Sequence, residues 1–221
     1  MRSLTADEAA VQAATQRLRI SLVTPGLDLA VAAYYGEPGF AGVTFTDLGH
    51  NPPCEIIPDD LLAVALLDIA WHPQAVRTLL GSHRQQFGEM LAALPRETDL
   101  WDASDEALRH IDRLWDALTA VYGIGTASAS KLLARKRPRL CPISDSVAIR
   151  AVEVRVRTWD LLRYLLQDPA ARADVEALRP AAAAGASTLR ILDVAVWALH
   201  SRSAAAQWVR GQAGMAADSE P

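Results

Sequence analysis

The sequence predicts an all-α fold, and three observations carry that expectation. Apolar residues recur at three- and four-residue spacing along most of the 221 residues. Capping residues, prolines and glycines punctuate those stretches where helices should start and stop. Only Val43-Thr44-Phe45 forms a β-prone patch, too short to found a sheet.

Taken in order, residues 6–19 and 27–35 read as helices separated by Pro25-Gly26. Residues 36–53 are interrupted by glycine and proline and read as a long loop, with room for one hairpin at the β-prone patch. Pro58-Asp59-Asp60 opens an apolar helix through about residue 70, its carboxylates suited to the positive helix end. Shorter helices follow at 73–81 and 84–93. Ser104 caps the next helix, and Leu108, Ile111, Leu114, Trp115, Leu118 and Val121 lay one apolar stripe along it. Gly123 stands where that helix should end. A second helix runs from about Ala127 to Arg135, limited by Pro138. Another begins near Asp145–Ser146, and more are expected at 158–167, 170–184, 187–201 and 204–211. Residues 212–221 read as a disordered tail.

Composition bounds the function. The longest apolar run, Leu61–Ala70, is broken by Asp68 and too short to span a bilayer. No charged-then-apolar leader with a cleavage site opens the sequence, so a soluble cytoplasmic protein with no membrane contact is expected. Cys54 and Cys141 cannot supply four thiolates to an iron–sulfur cluster, and the five histidines show no metal-ligand spacing. No metal and no organic cofactor is therefore expected. Net charge is −4, yet residues 131–157 carry eight basic side chains against Asp145 and Glu153. Such a local excess of +6 suits either a polyanion footprint or a solvated basic face.

The informative stretch joins two helices through Tyr122-Gly123-Ile124-Gly125. Both glycines permit backbone angles that other residues avoid, and Ile124 can tuck between the helices. Amides near Gly125–Ala127 would then project from the head of the second helix, a ready anion site, with Lys131 and Arg135 one and two turns on.

This hairpin resembles the helix–hairpin–helix element of the DNA glycosylase superfamily typified by endonuclease III and the alkyladenine excision enzymes. Their pattern of Gly–apolar–Gly, three residues, then Ala is met by Gly123, Ile124, Gly125 and Ala129. The family places its catalytic aspartate beyond the second helix, and Asp145 stands in that place, twenty residues after Gly125. The match covers residues 114–152. The chain also resembles an uncharacterised bacterial branch of that superfamily, which adds no activity. The resemblance implies one domain over residues 1–221, built as two helical lobes around a cleft. Its helix–hairpin–helix would lie at about 104–135 and its catalytic-aspartate segment at 139–152.

The resemblance further implies that Gly123, Ile124, Gly125, Ala127 and Lys131 hold the DNA backbone. Members that also cut the strand carry a lysine two residues after the second hairpin glycine; that position is Ala127, which cannot form a Schiff base. Monofunctional hydrolysis is thus implied, with the Asp145 carboxylate stabilising an oxocarbenium-like sugar and orienting water. The same aspartate also suits a helix N-cap. A flipped base needs aromatic walls, for which Tyr122, Trp159 and Tyr34 are candidates, although a place in the core is the commoner role for any such ring. Two other functions fit the sequence: a non-catalytic DNA-binding protein that keeps the hairpin, and a helical interaction scaffold in which the hairpin is only a tight connection.

Overall fold

The computed structural model describes residues 8–144, 146–152 and 157–215. Among these residues the chain is helical and contains no strand. In chain order the helices are α1 (Glu8–Leu22), α2 (Leu27–Gly36), α3 (Thr44–Asp47), α4 (Pro58–Ala65), α5 (Pro73–Arg77), α6 (Arg84–Ala92), α7 (Asp105–Thr119), α8 (Thr126–Lys136), α9 (Ser146–Val152), α10 (Thr158–Leu166), α11 (Pro169–Ala177), α12 (Thr188–His200) and α13 (Ala204–Gln212). A π-helical turn, Thr78–Ser82, joins α5 to α6, and short 3-10 turns lie at Leu100–Asp102 and Ala181–Ala183.

The chain divides into two compact units. One is continuous, over residues 44–144. There α8 packs on α4 and α7, α3 on α4, and α6 on α7. Leu108, Ile111, Leu114, Trp115 and Leu118 are all buried along α7, as their spacing requires. Removing a leucine or isoleucine side chain from water contributes about 1.5–3 kcal/mol, so this stripe anchors the unit. Ser104 caps α7, its Oγ accepting from the amide of Ala107 at 3.1 Å.

The other unit is assembled from residues 8–43 and the described residues after 145. In it α12 packs against α2, α9, α11 and α13, while α1 packs against α10 and α11. Helix α12 is buried nearly all round through Leu189, Ile191, Leu192, Val194, Ala195 and Val196. Ser187, Asp168 and Ser203 cap α12, α11 and α13 through their side-chain oxygens.

Three expectations change on the structure. The β-prone patch forms no hairpin: Thr44–Asp47 is a helical turn whose carbonyls are taken by a buried arginine, described below. The apolar helix expected to reach residue 70 stops at Ala65, followed by a turn with Asp68 at φ 60°. Two side chains hold that end, Trp71 Nε1 donating to the carbonyl of Leu61 and Lys131 Nζ to that of Leu67, both at 2.8 Å. The helix expected over 170–184 breaks after Ala177, ahead of Pro180, which has no amide to donate.

Among the described residues no helix is long and apolar enough to cross a membrane.

Candidate nucleic-acid interface

The turn between α7 and α8 is built on one glycine. Gly123 sits at φ 87°, the left-handed region that side chains rarely enter. A Cβ there would stand 2.4 Å from the Cβ of His72, so the root of the histidine side chain fits against the turn only because residue 123 has no side chain. Gly125 is different. At φ −98° and ψ −178° it is ordinary extended backbone, and nothing lies within 4 Å of where its Cβ would be. The expectation that both glycines supply unusual angles holds for Gly123 alone.

Ile124 is buried and pins the turn, as its place between two helices suggests. Its amide donates to the carbonyl of Val121 at 3.0 Å. Ser128 organises the head of α8: its Oγ accepts from the Gly125 amide at 3.0 Å and donates to the Gly125 carbonyl at 3.1 Å. That exchange takes the Gly125 amide out of the expected anion site. The amides of Thr126 and Ala127, in the first turn of α8, have no intrahelical acceptor. Thr126 is exposed and Ala127 half-buried, so the positive end of an eleven-residue helix faces solvent there.

A second ring braces the turn. Tyr122 is 66% exposed, and its ring meets that of His72 at 4.8 Å and 86°. His72 Nδ1 accepts from the Gln74 amide at 3.1 Å and so caps α5. No local signal ties His72 to Gly123, since the two are distant in sequence. Ser128, by contrast, is legible as a serine three residues into a helix that starts on glycine.

The basic run is the main correction. Arg135, Lys136 and Arg137 are buried, and none presents its charge to a phosphate. Arg135 donates to the carbonyls of Phe45, Thr46, Leu48 and His50. Arg137 donates to the carbonyls of Leu91 and Leu94, at and just beyond the negative end of α6, and to those of Pro53 and Lys136. Lys136 Nζ lies 2.9 Å from Asp60 Oδ2 and 2.6 Å from Asn51 Oδ1. Burial pulls the Lys136 ammonium below its ordinary 10.5 against the pull of that carboxylate. Asp60, itself buried, also stands 3.5 Å from Arg135 Nε. The three cations therefore fasten the segment from Phe45 to Pro53, which lacks regular structure beyond α3 and needs donors for its carbonyls.

Lys131, expected on the backbone of DNA, is committed to the carbonyl of Leu67 instead. Arg139 is exposed but paired with Asp99 at 2.5 Å and lies 3.5 Å from Glu97.

Two of the three aromatic candidates for a base pocket are packed inside the protein. Tyr34 is buried on α2, stacked on Phe40 at 5.3 Å and accepting from Arg190 Nη2 through its hydroxyl. Burial raises the Tyr34 phenol above its ordinary value, opposed by Arg190. Its neighbour Tyr35 is pushed up to about 12 by burial, and its hydroxyl finds no hydrogen-bond partner among the described residues. Trp159 is buried on α10, with the Arg157 guanidinium 5.3 Å from its ring centre. Of the three, Tyr122 alone offers a ring to solvent.

Asp145, the catalytic candidate, lies outside the described residues. The segment leading to it is buried from Leu140 to Ser144, and the Ser144 carbonyl accepts from Ser130 Oγ at 3.0 Å. Cys141 is a buried thiol that burial pushes up to about 12, as suits an inert core residue. Among the described residues no group of three or more His, Cys, Asp or Glu side chains is placed to hold a metal ion.

A family model described as a family of unknown function (DUF6308) matches residues 29–200. No curated protein and no solved structure matches the chain.

Proposed function

The chain belongs to the DUF6308 family, which carries no activity to inherit, and from its own residues we propose a DNA-binding protein that excises a base hydrolytically. The observation that carries the reading is the α7–α8 turn. Gly123 at φ 87° brings the helices together, and the Thr126 and Ala127 amides are left at the head of α8 for a phosphate oxygen.

The chemistry is what the resemblance to the helix–hairpin–helix glycosylases implies for the residues at positions 145 and 127. A carboxylate beside C1′ stabilises the positive sugar as the glycosidic bond breaks. It also accepts a proton from the water that adds to C1′, while the base leaves with the bond's electron pair and takes up a proton. Ala127 has no amine to trap the opened sugar, so the product is an abasic site in an intact strand. In this reading Asp145 is the catalytic residue.

The test uses purified wild-type and Asp145→Asn protein on labelled single strands and duplexes carrying uracil, alkylated, oxidised or hypermodified bases. Hot alkali then reveals abasic sites, and native gels report binding on the same samples. Breaks from wild type alone, seen only after alkali, support the proposal and name the base. Equal turnover by Asp145→Asn removes Asp145 from the chemistry. Binding without breaks on any substrate leaves a non-catalytic DNA-binding protein.

The burial of Arg135, Lys136 and Arg137 favours a second reading, a helical interaction scaffold in which the hairpin is only a connection. No DNA binding at 50 mM salt or below, on the order of the range where phosphate contacts are strongest, decides for it.

A further inference from the structure

The cations beside the hairpin are spent on the protein itself, and an aromatic ring stands in the open next to it. Lys131 holds the Leu67 carbonyl, while Arg135, Lys136 and Arg137 are buried. Tyr122, adjacent to Gly123, keeps two-thirds of its surface in solvent. Its right-angled contact with His72 occupies at most one of its two faces. From this we infer that the hairpin takes single-stranded DNA in preference to duplex, with Tyr122 as the platform on which an unstacked base lies. The inference rests on the preceding proposal that the hairpin holds a DNA backbone, and it names the form of DNA held there.

The argument is one of what each ligand can offer. A duplex keeps its bases stacked inside and offers a protein surface chiefly phosphates, which reward lysines and arginines that are free to pair. Lys131, Arg135, Lys136 and Arg137 are not free to do so. A single strand offers the faces of its bases, and stacking on an aromatic ring needs no charge and no sequence. Tyr122 and Thr126 are four residues apart, so their Cα atoms lie within about 14 Å even along an extended chain, and closer across a turn. A nucleotide whose phosphate meets the amides of Thr126 and Ala127 can therefore bring its own or its neighbour's base to the ring. The His72 contact holds the phenol in place beforehand, which lowers the entropy lost on stacking.

The test is fluorescence anisotropy of the full chain with a labelled oligothymidylate strand, the same strand annealed to its complement, and an abasic strand of equal length. Wild type should bind the single strand about tenfold or more tightly than the duplex. Its affinity should fall only weakly with salt, with a log–log slope near −0.7 per phosphate held and so on the order of −1 for one or two phosphates. Tyr122→Ala should weaken single-strand binding by about 5- to 150-fold. Tyr122→Phe should retain it, because the ring and not the hydroxyl does the stacking. The abasic strand should bind wild type no better than the thymidylate binds Tyr122→Ala. Duplex bound as tightly as the single strand, or Tyr122→Ala bound as tightly as wild type, overturns this inference while leaving DNA binding in place. Failure to bind any of the three ligands overturns both this inference and the reading beneath it.

Discussion

Replacing Gly123 with alanine should be among the most costly single-methyl changes in the protein, and the structure allows the cost to be built up from parts. The first part is conformational: a residue with a Cβ held at φ 87° costs about 1–2 kcal/mol relative to glycine. The second is steric. The new Cβ would stand 2.4 Å from the Cβ of His72, well inside the roughly 3.5–4 Å at which carbon atoms rest. That neighbour cannot swing away on a rotamer, so α5 or the hairpin must shift, at about 1–3 kcal/mol for overpacking. Together Gly123→Ala should destabilise by about 2–5 kcal/mol. Gly125→Ala is the internal control, since its backbone is ordinary and its surroundings open. It should lie within about 1 kcal/mol of neutral, since the entropy saved in the unfolded chain is offset by alanine being the poorer N-cap of α8. Urea unfolding followed by circular dichroism reads both as midpoint shifts at constant m-value. His72→Gly in the Gly123→Ala background should recover the steric part and leave the conformational part, a coupling visible in a double-mutant cycle. Equal effects at positions 123 and 125, or no coupling with position 72, would refute the reasoning.

Four further outcomes follow from the packing. Asp60→Asn leaves Arg135 and Lys136 buried beside a neutral group and should cost about 3–5 kcal/mol in urea unfolding, with half-buried Asp59→Asn, which keeps an oxygen to accept from the His50 amide, as the milder comparison. Tyr34→Phe strips an acceptor from buried Arg190 and should destabilise by about 1–3 kcal/mol, whereas Tyr35→Phe removes an unpartnered hydroxyl and should be neutral or stabilising. In the folded protein a thiol reagent should modify Cys54, half-exposed with its Sγ 3.3 Å from Arg96 Nη2, and spare Cys141 until denaturant is added; mass spectrometry of the labelled peptides reads this directly. The Arg179 hydrogen bond, aided by Thr188 and opposed by burial, holds Glu176 below its ordinary 4.5. Its contribution is therefore complete above pH 4.5 and lost as pH falls through the lower folded value, so the stability gap between wild type and Glu176→Gln should close in acid.

Periodicity carried much of the fold. The stripe from Leu108 to Leu118, the Ser104 cap and the breaks around Pro25-Gly26 all follow from spacing and residue type, because those signals are local. The failures arise where a local reading needs a distant partner. Counting charges along residues 131–157 suggests a basic face, whether solvated or on a polyanion, yet Ala129, Leu132, Leu133 and Lys136 share one helix face, spaced three and four apart. That projection already puts a lysine on the buried side of α8. The same spacing places Tyr34 with Leu27, Ala30 and Val31 on the inner face of α2, and Trp159 with Leu162 and Leu166 on that of α10. What no spacing contains is which carbonyls the buried cations reach, because the segment from Phe45 to Pro53 meets α8 only in three dimensions. The brace of His72 on Gly123 was invisible for the same reason.

The division of the chain into a continuous unit and a split one has a consequence for the order of synthesis. Helices α1 and α2 leave the ribosome ahead of residues 44–144, yet α9 to α13, against which they pack, are encoded only after residue 145. At roughly 5–20 residues per second, translating the intervening hundred or so residues takes on the order of 5–20 s. Residues 44–144 can close on themselves within that interval. Helices α1 and α2 must wait with their apolar sides uncovered, and over those seconds they are the part of the nascent chain most open to wrong contacts.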